Sequence, residues 1–103
     1  MDTYYDAISE VAMKVLIQAR CGRSLDEDNF NKLYMILQEL EKEVSGKDMI
    51  PRNIAGLLFF IYCSLNDNLK YSNYKDVEFI ALANMEEILD KILWDSPFKH
   101  DYR

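Results

Sequence analysis

Apolar residues recur at three- and four-residue steps in four separate stretches of the chain, each with its own start and stop signals. In the first, from about Tyr4 to Cys21, the residues Tyr4, Tyr5, Ile8, Val11, Ala12, Val15, Leu16 and Ala19 line one helical face. Thr3 with Asp6 gives a capping-box-like start, and Gly22 a C-terminal cap. The second stretch runs from about Leu25 to Ser45, with Phe30, Leu33, Tyr34, Leu37, Leu40 and Val44 as its stripe. Ser24 and Glu27 form a capping box, the acids at 26, 27 and 28 suit the positive end of a helix dipole, and Gly46 marks the stop.

The third stretch opens at Pro51, a good first helical residue, and reaches about Asn66. Ile54, Leu57, Leu58, Phe59, Phe60, Ile61, Tyr62, Cys63 and Leu65 surround it almost completely, so it is expected at the centre of the molecule. The fourth, from about Tyr74 to Leu93, is opened by Ser72 or Asn73 and closed before Pro97. Its stripe reads Val77, Ile80, Ala81, Met85, Ile88, Leu89 and Ile92, interrupted by Asn84. No stretch alternates with period two over a strand's length. The pattern therefore predicts an all-α fold: one domain over 1–103, a compact antiparallel bundle of about four helices (4–21, 25–45, 51–66 and 74–93) with helix three central and a tail at 96–103.

Composition agrees. The 103 residues are 50% hydrophobic, enough for a core without staples, and the three glycines and two prolines leave few turns. The two cysteines, Cys21 and Cys63, lie in apolar stretches and read as buried thiols of a reducing compartment, with a disulfide as the alternative. The N-terminal residues lack a basic start followed by an apolar run, and the longest apolar stretch, 54–65, is far short of the ~20 residues that span a bilayer. A cytoplasmic protein is expected.

Reactive chemistry is sparse. The one histidine, His100, sits near the C-terminus with no evident orienting partner, so a general-base role lacks support. Metal-ligand spacings such as Cys-x-x-Cys or Glu-x-x-His do not occur, nor does a glycine-rich phosphate loop. Gly56, inside the third helix, reads as a close helix–helix contact. No catalytic, cofactor or metal site is expected.

Charge is more informative. The net charge is −6, which disfavours direct binding to nucleic acid or to an anionic membrane. Residues 24–46 carry six acids against two bases and residues 73–95 six against two, so the whole deficit falls on helices two and four. Several of these acids are ordinary helix grammar: they sit at helix starts or precede a lysine by four. The pairs Glu39–Glu43 and Glu86–Asp90 are different. Like charges at i,i+4 cost a few tenths of a kcal/mol, and both pairs lie toward the negative ends of their helices. They read either as a solubility face or as an acidic patch for a basic protein partner. Seven tyrosines add to the second reading. Tyr71 and Tyr74 fall outside the main stripes and suit an interface, whereas Tyr4, Tyr5, Tyr34 and Tyr62 fit the core or its edge.

In size, acidity, helical make-up and tyrosine content the chain resembles the small immunity proteins of bacterial contact-dependent and other polymorphic toxin systems. The resemblance is one of overall character, rests on no motif, and carries no family residues onto this sequence. It implies a cytoplasmic inhibitor that binds one cognate toxin, such as a basic nuclease, with Glu39, Glu43, Glu86 and Asp90 steering and Tyr71 and Tyr74 anchoring. The alternative is a structural or regulatory module that homodimerises or joins a larger assembly, driven by whatever part of helix three the other helices leave uncovered.

Overall fold

The computed structural model describes residues 2–22, 24–69 and 76–93. Among these residues there are four α-helices and no strand: α1 (Asp2–Gly22), α2 (Glu27–Val44), α3 (Arg52–Leu69) and α4 (Asp76–Leu93). Tyr71, Tyr74, the expected cap of helix four and the tail at 96–103 lie outside the described residues.

Three of the four stripes bury as their spacing dictates. Ile8, Ala12, Val15 and Ala19 of α1, Phe30, Leu33, Leu37, Leu40 and Val44 of α2, and Ile54, Leu58, Ile61, Leu65 and Leu69 of α3 form one core with α4. Each such Leu or Ile contributes about 1.5–3 kcal/mol by leaving water. Tyr4, Tyr5, Tyr34 and Tyr62 pack half-buried at the core edge.

The helices form two antiparallel hairpins laid on each other. α1 packs on α2 across a four-residue connection, and α3 packs on α4, with the Tyr62 hydroxyl donating to Glu86 Oε2 at 3.4 Å. Across the hairpins, α1 is the neighbour of α3 and α2 of α4, whereas among the described residues the backbones of α2 and α3, and of α1 and α4, do not come close. α3 thus occupies one corner of four rather than a surrounded centre. Its outward side leaves Phe59 and Phe60 67% and 58% exposed.

Local signals differ from the expectations at several points. The N-cap of α2 is Asp26, whose carboxylate accepts from the Asn29 backbone N–H at 3.1 Å and from Asn29 Nδ2 at 2.7 Å. Ser24 lies two residues before this cap, and its hydroxyl accepts from Gln18 Nε2 of α1 at 2.8 Å. α1 starts at Asp2, which places Thr3 inside its first turn, and it includes Gly22. α3 starts just after Pro51, whose carbonyl accepts from the Ala55 N–H at 3.1 Å, and continues one turn past Asn66.

The fourth stripe is rotated in its first turns. Val77 and Ile80 are 41% and 59% exposed, and Glu78 and Leu82 are buried in their place. Positions 78, 82, 85, 89 and 92 keep the unbroken three-and-four spacing that one helical face requires. Among the described residues no buried polar side-chain atom lacks a hydrogen-bond partner. Both cysteines are free and exposed rather than buried. Cys63 lies between Ile61 and Leu65, about 200° around the helix from either, and so faces outward. Gly56 is likewise exposed, with open space where a Cβ would stand, so it makes no close helix–helix contact.

Candidate functional site

The fold brings the two acidic helices together. α2 and α4 are neighbours, and they run in the same direction. Leu25, Phe30 and Asn31 near the start of α2 meet Val77, Ile80 and Asn84 near the start of α4 around a cavity of about 180 Å³. Tyr34, Gln38 and Glu41 farther along α2 meet Ile88, Lys91 and Ile92 of α4 around a larger cleft of about 880 Å³. The α2–α4 seam thus carries an open depression near each of its ends.

Charge divides along the same line. α2 has five acids against two bases (−3) and α4 five against one (−4), giving −7 for this half. α1 has three acids against two bases and α3 one of each, giving −1 for the other half. The asymmetry is a property of the fold, because α2 and α4 are not adjacent in sequence.

Within that half the two carboxylate pairs are not brought together. Glu39, Glu43, Glu86 and Asp90 are all exposed. The side of α2 that faces α4 carries residues 27, 31, 34, 38 and 41. Glu39 and Glu43 fall outside that set, on the edge of α2 away from α4. Glu86 accepts from Tyr62 of α3, and so lies on the opposite edge of α4, with Asp90 one turn along. The pairs therefore border the acidic half on its two far edges, and no single four-carboxylate patch exists. Glu43 is also partly answered by Lys47 at 3.9 Å. Tyr71 and Tyr74 lie outside the described residues.

The larger cleft itself is not acidic. Lys42, Lys47 and Lys91 line the large cleft against Glu41 and Asp48. It lies at the C-terminal ends of α2 and α4, where unsatisfied carbonyls favour cations. Asn84, which interrupts the apolar stripe of the fourth stretch, is exposed on the wall of the smaller cavity. Val77 and Ile80, two of the apolar residues that line that cavity, belong to the stripe that the sequence places in the core, yet both are exposed. Leu82, an apolar residue outside that stripe which makes a second stripe possible, is the signal in the sequence that could release them to the surface.

Among the described residues no three His, Cys, Asp or Glu side chains group as metal ligands would, and no helix is long and apolar enough to cross a membrane. Asp26 has a carboxyl held below the usual range, by the Asn29 side-chain and backbone donors of the helix cap. No family model, curated protein or solved structure matches the chain.

Proposed function

We propose that the chain is a non-catalytic binding protein whose acidic α2–α4 half docks onto a basic protein, most concretely an immunity protein that neutralises a toxin nuclease in the bacterial cytoplasm. The observation that carries this reading is the packing of α2 beside α4, which concentrates −7 on one half of the molecule and leaves −1 on the other. A nuclease surface that grips phosphates is basic, and a half of the molecule with this excess of negative charge attracts it, raising the association rate and rejecting acidic competitors. Val77 and Ile80, exposed between the acidic edges, supply apolar contact that charge alone does not.

The test begins with the chain as bait in its native host, where a basic nuclease is the expected catch and its activity should fall on binding. Glu39→Lys combined with Glu86→Lys should then slow association and flatten its salt dependence while leaving the helical fold intact. Because the structure separates the two edges, Glu39→Lys/Glu43→Lys and Glu86→Lys/Asp90→Lys made separately report which edge faces the partner. Unchanged affinity at low salt in all three variants, or a captured partner that is itself acidic, overturns the reading.

A further inference from the structure

The outward face of α1 has a different character. Asp6, Glu10, Met13, Ile17 and Arg20 follow one another at alternating steps of four and three, the spacing of a coiled-coil seam, and all five are exposed. Met13 and Ile17 are 59% and 54% exposed, so this stripe is separate from the buried one formed by Ile8, Ala12, Val15 and Ala19. Among the described residues Asp6, Glu10 and Arg20 take part in no ion pair.

Phe60 borders the stripe. Gln18 donates to Ser24, and Lys14 acts electrostatically on Asp26, so the flank of α1 bearing Lys14 and Gln18 faces the start of α2. Met13 and Leu16 lie on the other flank, toward α3. On α3, Tyr62 faces α4 through Glu86, which leaves Phe60, on the opposite flank, toward α1. Phe60 is 58% exposed on this flank, and Leu16 of α1 and Leu57 of α3 are half-buried against the core.

From this arrangement we infer that two copies of the chain associate through an antiparallel α1–α1 contact, with the twofold axis passing close to Met13. Asp6 and Arg20 each lie seven residues from Met13, about 10 Å along the helix. An antiparallel twofold therefore sets Asp6 of each copy opposite Arg20 of the other, making two symmetric ion pairs, while Met13 meets its own copy and Ile17 and Phe60 close around it. The helix dipole accounts for an acid near the start of α1 and a base near its end taken singly. It does not account for two large apolar side chains exposed between them on the same stripe. The charge distribution also selects this face: it belongs to the half carrying −1, and the contact turns the two −7 halves away from each other. A symmetric contact through α2 and α4 would bring them together.

The surface is distinct from the one that binds the basic partner, so the two proposals stand or fall separately. Sedimentation equilibrium of the full chain, from about 1 to about 200 µM, should show a monomer–dimer equilibrium. Arg20→Glu leaves the seam with acids only and should weaken dimerisation by about tenfold or more. Asp6→Arg with Arg20→Asp exchanges the charges and should restore the dimer, a recovery that damage to folding would not give. A chain that stays monomeric across the range overturns the inference. So does a dimer indifferent to Arg20→Glu, or a double exchange that fails to recover it.

Discussion

Gly46 and Gly56 sit at a helix end and inside a helix, and the backbone makes opposite demands of them. Gly46 follows α2 with φ at +81°, a left-handed conformation that an L side chain resists. Gly46→Ala should lower stability by about 1 kcal/mol. Gly56 is helical and exposed, and a methyl there meets nothing within 4 Å. Gly56→Ala should raise stability by about 0.5–1 kcal/mol, since alanine limits the unfolded chain and favours the helix. Urea midpoints of the two variants decide both; a loss in Gly56→Ala would mean that the site is closed to a side chain. Asp26 belongs to the same scale. Its folded carboxyl is lowered below 3.8 by the donors of Asn29, so the stability it contributes is present above that value and is lost as pH falls through the lowered one. Asp26→Asn caps without titrating. The difference in stability between wild type and this variant should therefore be constant from pH 7 to about 5 and shift against wild type below about pH 4, as read by urea melts at each pH.

At the level of elements, α4 shows where periodicity stops being sufficient. In α1 and α2 the main apolar stripe holds the buried residues, with Tyr34 half-buried among them, so spacing alone points to the core face. α4 opens with Val77, Phe79, Ile80, Ala81 and Leu82, which offer two neighbouring stripes, and only contact with α2 and α3 selects between them. The structure takes the stripe through Glu78 and Leu82 and leaves Ile80 at the smaller cavity. Leu82→Ala should then cost about 2–4 kcal/mol, whereas Ile80→Glu should change stability by no more than about 0.5 kcal/mol. The reverse order in thermal or chemical unfolding would return α4 to the register read from the sequence. The start of α2 was ambiguous in the same way. Ser24–Glu27 and Asp26–Asn29 are overlapping caps two residues apart; the structure uses the second, and the Ser24 hydroxyl meets Gln18 of α1, a contact between elements that no local pattern records. For the candidate site, the surplus charge on α2 and α4 could be counted residue by residue. Which helices become neighbours, and hence that the four carboxylates face two edges rather than one, depends on tertiary packing between elements far apart in sequence.

For the molecule as a whole, the acidic half has an energetic consequence apart from any partner. Two adjacent helices carrying −3 and −4 repel each other, and Glu39–Glu43 and Glu86–Asp90 add like-charge pairs within each helix. Exposed charges are screened within about 10 Å at 0.1 M salt. Raising ionic strength from about 0.01 to about 0.15 M should therefore raise the melting temperature, the reverse of what a molecule held by surface ion pairs would show. The same reasoning applies to Glu39→Lys/Glu86→Lys. Each substitution turns a repulsive i,i+4 pair into an attractive one and places a cation toward a helix C-terminus, against the loss of the long Tyr62–Glu86 hydrogen bond of 3.4 Å. The variant should match or exceed wild type in stability at low salt, by a few tenths of a kcal/mol per pair, while binding its basic partner more slowly. A gain in stability joined to a loss in association would mean that the carboxylates serve recognition at the expense of the fold. A variant that is both less stable and equally quick to bind would mean that they serve the fold.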